Sequence, residues 1–561
     1  MEDNIAKLAA EQDEENTKTE KETQSQILIR LAVSDSELFH TDELEPFATF
    51  KVKSHYETYS LNGRVFKLWL TKTFYDKYGK VAGNQALAEA INILKAKALF
   101  EGEKMNVFTR IAQKDNTIYI DLCDESWEVV KVTSEGWEIV SNPPVKFKRS
   151  KIAEEIPKPI SGGSIEELKK YINYKNETDW VLIVAWLLST LRPNSPYPIL
   201  TIQGEQGSAK STTTRVLRTI VDPSTMPLRS LPREERDLSI AANNSWILAF
   251  DNLSGLSNMI SDALCKLSTG GGLATRMLFT DDEEAVFNIM RPAILNGIDD
   301  IAKRQDLLDR SLVLFLPSIP EERRTDEKTF WKSFKEAHPI ILGGLLDVLS
   351  GAIKELPNTN LTAKPRMADF AQWATAAEKC LGWETGTFMN VYTNNRNEAI
   401  DQGLESDPVA VAVQAFMEEK TSWEGTVGET LDELNNYTEE AITKYSKAWP
   451  TSRKLKERLR RIAPALRVKG INYLDLGRTS KGAKVRLEKT DESTPLSTLS
   501  TPNTSNRSLT EDDRMTESKN TVCVEKRSSH NKSHFRTIHD DNEDNVDKKP
   551  NLPKIHKSGL I

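Results

Sequence analysis

The residues with the most chemical content form one run, Gly204-Glu205-Gln206-Gly207-Ser208-Ala209-Lys210-Ser211-Thr212. Small residues closed by a lysine and two hydroxyls make a loop that can wrap a phosphate. Gly and Ser let backbone N–H groups curl round a β-phosphate. A following helix adds the partial positive charge of its N-terminus. Lys210 is placed to reach β- and γ-phosphates, and the Ser211 hydroxyl to ligate Mg²⁺. ATP and Mg²⁺ are therefore the expected cofactors. Ala209 departs from the usual pattern, which has a glycine there; alanine tolerates positive φ poorly, so a slightly reshaped loop is expected.

Such a loop needs a strand before it and a helix after it. The apolar run Tyr197–Ile202 supplies the strand, and Thr213–Ile220 the helical pattern. Beyond them, Trp246–Phe250 is a second apolar strand ending in Asp251-Asn252. Asp251 is the expected partner of Ser211 in holding Mg²⁺. Asn252 stands where many ATPases have a water-activating glutamate, leaving the general base unassigned among Glu234, Glu235 and Asp237. Ser268 to Phe279 and Ala285 to Ile289 read as a hairpin with an acidic tip, Arg276 being the cation of its first strand. Arg291 to Gly297 is a strand carrying Asn296, placed to orient water or sense the γ-phosphate. Arg310, just before the apolar run Leu312–Leu316, is placed as an arginine finger for a neighbouring subunit, with Arg304 and Arg291 as competitors.

A second chemistry lies near the C-terminus. From Pro450 to Lys489 there are 13 Lys/Arg against 3 Asp/Glu, in a chain of net charge −8. A local basic island on an acidic protein points to one nucleic-acid contact surface. Within Ser452–Leu466, Leu455, Leu459, Ile462 and Leu466 face inward at helical spacing. Arg453, Lys454, Lys456, Arg458, Arg460 and Arg461 are expected outward. Two strands round Ser480-Lys481-Gly482 add a basic wing. This predicts a winged helix that docks on DNA.

The order Lys210, Asp251, hairpin, Asn296, Arg310 resembles the AAA+ core of superfamily-three helicases, in the group of phage and mobile-element replication proteins that includes virus-type primase-helicases. The segments Glu235-Arg236-Asp237-Leu238, Phe250-Asp251-Asn252-Leu253-Ser254, Thr269 to Arg276, Arg291 to Gly297 and Pro365 to Phe370 are similar to runs recurring in that group. The resemblance covers about Ile199 to Trp383 well and the C-terminal part more weakly. It implies a ring-forming ATPase, hexameric, with its hairpin facing a DNA channel. The acidic tip departs from the Lys or Arg that a DNA-tracking loop offers.

At 561 residues the chain has room for three or four domains. The fold class expected is α/β, with an AAA+ P-loop core at its centre. The expected division is a disordered acidic tail (1–24), an α+β module (25–160), the ATPase core (161–325), a helical lid (326–407), the winged helix (408–490) and a disordered tail (491–561). Strands are expected at Phe47–Phe50, Arg64–Leu70, Thr117–Leu122 and Trp127–Val132, and helices at Gln85–Phe100, from Ser164 toward Tyr174, and Asp179–Leu191. Lys158 to Ser164 reads as a linker. No apolar run reaches the roughly 20 residues of a membrane span. The polar N-terminus has no signal-peptide pattern, and the four cysteines form no CxxC pair, so a cytoplasmic protein is expected. The expected function is an ATP-dependent DNA helicase, translocase or replication initiator, with DNA and other replication proteins such as a primase as partners. An ATP-gated DNA-binding regulator or loader is the alternative. A protein remodeller is disfavoured by the basic island.

Overall fold

The computed structural model describes residues 22–490 except 272, 277–283, 288, 299–300, 302–303, 447–448 and 481. The tail 491–561, the hairpin tip and most of the N-terminal tail lie outside the described residues. The first helix of the described residues, α1 (Gln24–Asp35), begins at the expected end of the acidic tail. A reciprocal capping box between Thr23 and Gln26 starts it.

The N-terminal region contains two layered units. In the first, α1, α2 (Arg64–Tyr78) and α3 (Asn84–Phe100) cover one face of the antiparallel strands β1 (Ser36–His40), β2 (Pro46–Val52) and β3 (His55–Ser60). The strand expected over Arg64–Leu70 is a helix. The reason lies past that window: Phe66, Leu70 and Phe74 are buried at intervals of four, a period only a helix satisfies. The second unit is a meander of β4 (Ile111–Lys114), β5 (Thr117–Asp121), β6 (Val129–Thr133) and β7 (Gly136–Val140). Its Ile118, Ile120, Val130 and Val132 join the hydrophobic core of the central domain. The meander therefore belongs energetically to that core, and the expected 25–160 module is divided.

The presumed linker is packed structure. A Cβ on Gly163 would strike the Ile340 carbonyl, and one on Gly343 the Ile160 carbonyl. Ser164 caps only a six-residue 3₁₀ helix, Ile165–Lys170, in place of the longer helix expected. The helix α4 (Glu177–Thr190) is apolar on all sides and buried from Trp180 to Thr190, as an encircled helix must be.

At the centre is a parallel sheet in the order β9 (Leu248–Leu253), β12 (Ala293–Gly297), β8 (Ile199–Gly204), β13 (Ser311–Leu316). Alternate residues enter two different clusters. Leu200, Ile202, Ile294 and Leu314 pack with α4, α5 (Lys210–Val221), α9 (Glu327–Glu355) and α10 (Ala368–Ala377). Ile199, Phe250, Leu295 and Val313 pack with α6 (Glu235–Asn244), α7 (Asn258–Thr269) and α8 (Gln305–Leu308). Both faces are covered, which is why these strands read as continuous apolar runs. Between α7 and β12 the strands β10 (Leu273–Arg276) and β11 (Glu284–Phe287) pair antiparallel.

The helix α11 (Thr387–Glu405) carries the chain to the C-terminal domain and gives it Ile400 and Leu404 as core residues. That domain holds α12 (Pro408–Glu418), α13 (Val427–Asn435), α14 (Glu440–Tyr445) and α15 (Ser452–Val468). Its three-stranded antiparallel sheet has the order β14 (Ser422–Thr426), β16 (Gly482–Lys489), β15 (Ile471–Thr479).

Candidate phosphate-binding site and basic surface

The loop between β8 and α5 turns through three positive-φ residues: Gly204 at 152°, Gly207 at 83° and Ala209 at 58°. Gly204 has a second constraint, since a Cβ there would sit 2.6 Å from the Leu316 carbonyl. Ala209 does adopt the left-handed conformation, so the loop keeps its course and the alanine carries the strain. As N-cap of α5 it offers no side-chain hydrogen bond. The N-terminal N–H groups of α5 thus have no side-chain cap, the condition under which a helix terminus receives an anion. Lys210 opens α5, and its Nζ donates to the carbonyls of Gly204 and Glu205, both at 2.7 Å. Burial holds this ammonium below the usual lysine value, opposed by the Asp251 carboxylate.

Across the loop, Ser211 Oγ donates to Asp251 Oδ1 at 2.7 Å. Asp251 can face the loop because β9 leaves its ladder with β12 between Phe250 and Leu253. Asn252 follows at φ 57°, and its N–H donates to Asn296 Oδ1 at 3.1 Å. Asn296 Nδ2 donates in turn to Thr214 Oγ1 at 2.8 Å, and the residue is 1% exposed. With both ends of its amide engaged, Asn296 ties the Asp251 turn to α5. The donor set fits a magnesium nucleotide: an uncapped helix N-terminus, one ammonium, one hydroxyl and one carboxylate. The described residues contain no cluster of three or more His, Cys, Asp and Glu suited to hold a metal by itself, so a divalent ion here would need oxygens from the phosphates as well. Gln206 and Thr212 complete the loop. Glu235 is paired with Lys266 at 3.1 Å, while Glu234 and Asp237 are exposed at the start of α6.

Two residues at the loop belong to no local motif because they come from distant segments. Asn173 Nδ2 donates to the carbonyls of Ser208 (2.9 Å) and Pro317 (2.6 Å), fastening the loop to the end of β13. The Arg324 guanidinium lies against Gly207, where an added Cβ would be 3.3 Å from Nη2. Its only hint was a position shortly after an apolar strand.

Arg310 lies away from this loop. It precedes Ser311, which pairs with Ile199, whereas Gly204 pairs with Leu316 at the other end of the same strands. At about 3.3 Å per residue that is a separation of roughly 17 Å. Its guanidinium is bound to Asp306, and Arg366 bonds the same carboxylate at 3.1 Å. Of its competitors, Arg291 is spent on the carbonyls of Ala242 and Ser245, and burial lowers it to about 10. Arg304 is paired with Asp262 at 2.6 Å.

The basic helix α15 is more self-compensated than its sequence implies. Lys456 and Arg460 both bind Asp475, Arg461 pairs with Glu457, and Arg458 pairs with Asp407, the N-cap of α12. Arg458 and Lys456 are half-buried, contrary to the expected outward display. Arg453 and Lys454 are exposed at its first turn, with no ion pair among the described residues. The Arg276 side chain and Lys481 lie outside the described residues. No described helix is long and apolar enough to cross a membrane.

Comparison with known proteins adds to this geometry. Nothing among curated proteins matches the chain. Among solved structures it is similar to the A-form apo structure of the NrS-1 C-terminal region, at 11% identity and TM-score 0.36, covering 84% of this chain and 100% of that one. A second apo structure of the NrS-1 C-terminal region (305–718) gives TM-score 0.35 at the same identity and coverage. Residues 165–397 match the family model of the actinomycete integrative conjugative element replication protein. Residues 409–504 match that of its C-terminal domain. Two models of one family, in chain order and together spanning more than half of the sequence, identify the chain as a replication protein of the actinomycete integrative conjugative element type.

Proposed function

We propose that this replication protein is an ATP-dependent DNA translocase that works as the helicase or initiator of its element. The reading takes the central sheet as an AAA+ P-loop core, α9 to α11 as its lid and the C-terminal domain as a winged helix. The observation that carries it is the 2.7 Å contact between Ser211 and Asp251 beside an uncapped helix N-terminus headed by Lys210. When bound, Mg·ATP supplies the phosphoanhydride whose cleavage drives movement. Lys210 supplies the positive charge for the phosphates. Ser211 and Asp251 supply the protein oxygens for the ion, and Asn296 holds Asp251 in place. Arg310 is too far along the strand to serve its own loop, so the reading gives it to a neighbour in a ring, after release from Asp306.

Lys210→Ala tests the reading. ATP turnover is expected to fall at least about a hundredfold while thermal stability is kept. Unchanged turnover contradicts it. A second reading, an ATP-gated DNA-binding regulator or loader, is favoured by Asn252, which occupies the position beside Asp251 with no carboxylate. Unwinding of forked DNA by the purified protein with ATP separates the two. Duplex opening supports the translocase, and ATP turnover without opening supports the regulator.

A further inference from the structure

We propose that the N-terminal region stacks an unpaired base of single-stranded DNA on Trp127. This indole is half-buried, yet it belongs to none of the apolar clusters of the described residues. A tryptophan normally dominates whatever core it enters, so one held outside every core needs another reason. It is also costly to hold. Trp127 has φ 54° and Cys123, in the same loop, φ 53°. A bulky residue in that region is a backbone outlier, and such strain gathers at ligand sites.

The ring is fixed from two sides. The Arg149 guanidinium lies 3.9 Å from its centroid, and Tyr59 meets it edge-on at 6.0 Å. Arg149 is itself pinned, with Nε donating to Asp121 at 2.9 Å, and Asp121 is 1% exposed. The platform is therefore built in before any ligand arrives. Trp127 stands between two cavities, one of about 900 Å³ against the polar face of β2 and β3, the other of about 550 Å³ at the β2–β3 turn. Either is of small-ligand size.

Charge narrows the ligand class. Of the six carboxylates on these walls, Glu37 pairs with Lys146, Asp121 and Asp124 with Arg149, and Glu57 bonds His55, which leaves Asp35 and Glu125. Lys51 and Lys53 are exposed, one at each cavity, without ion pairs among the described residues. A rigid aromatic face flanked by two free ammonium groups fits a nucleobase with its phosphates on either side. Base stacking contributes about 1–3 kcal/mol and tolerates any sequence. The site requires no nucleotide at Lys210 and stands apart from the reading above.

The test is binding of oligothymidylate containing 2-aminopurine to the full-length protein at about 0.3 M salt, where purely phosphate-based contacts elsewhere are weak. Trp127→Asn suits the left-handed backbone, so the fold is expected to persist. It should lose about 5- to 150-fold in affinity and abolish quenching of the 2-aminopurine, while Trp127→Phe retains most of both. Lys51→Glu with Lys53→Glu should reduce the slope of log K against log salt by about 1.4. Duplex affinity of Trp127→Asn should match the parent. The proposal is overturned if Trp127→Asn binds the oligonucleotide as the parent does, or if it loses duplex affinity to the same extent.

Discussion

Ala209 holds a conformation that glycine would hold without steric cost, φ 58° and ψ 30°. For an L-residue this costs about 1–2 kcal/mol. Glycine would return about 0.5–1 kcal/mol of that through its looser unfolded chain. Ala209→Gly is therefore expected to be between neutral and about 1.5 kcal/mol more stable in thermal unfolding, and a clearly lower midpoint would show that the alanine methyl is packed usefully. At Ser211 the effect should fall on the ion. Ser211→Ala removes the hydroxyl bonded to Asp251 and is expected to raise the Mg²⁺ needed for ATP turnover about tenfold. An unchanged magnesium titration would remove Ser211 from the ligand set.

The helix α9 is fastened to α5 by a neutral histidine. His338 Nε2 bonds the Ile220 carbonyl at 3.1 Å, its ring stacks on Phe334, and burial lowers its pKa to about 4. The unfolded chain takes up this proton near pH 6.5 and the folded chain does not. Stability from this site is therefore complete above about 6.5 and is lost as pH falls toward 4, on the order of 3 kcal/mol in all. His338→Gln should flatten that part of the pH–stability curve, and an unaltered slope would assign the acid sensitivity elsewhere. Which elements could be read from sequence follows the same local logic. The strands of the central sheet, α5 and α15 announce themselves because each is an uninterrupted apolar run or a complete helical stripe. Residues 64–70 were too short a window to distinguish period two from period four. The helix α11 lies within the expected helical lid, but its bounds show no clean apolar stripe because its buried face mixes Phe388 and Tyr392 with Asn395, whose amide is spent on the backbone of Val313. Lys210, Ser211 and Asp251 were legible as a local motif. Asn173 and Arg324 reach the same loop only through tertiary packing, which no spacing rule encodes.

The molecule as a whole is joined by buried charge. Arg110, 2% exposed, leaves the meander to bond Asp222 at 3.1 Å, and Asp222 also accepts the N–H groups of Trp246 and Ile247 at 3.0 Å. Arg110→Ala leaves Asp222 with Arg218 at 3.7 Å and those two N–H groups, so it is expected to destabilise the protein by about 3 kcal/mol in urea unfolding. A loss below 1 kcal/mol would mean that water reaches Asp222. Charge also divides the C-terminal surface. Arg453→Glu with Lys454→Glu should weaken duplex binding tenfold or more at low salt and reduce the salt slope by about 2. Arg458→Glu should instead lower stability, by setting a carboxylate against Asp407. Equal DNA affinity in the double variant would remove α15 from the contact surface. The close approach of Ile160 and Gly163 to the backbone of α9 has a practical corollary. Composition marks 158–164 as the natural place to cut the chain, yet a protease needs an extended, accessible backbone and finds one already welded to α9. Limited digestion should spare this stretch, and an expression fragment begun just after it would expose the apolar floor on which the meander rests and be prone to aggregate.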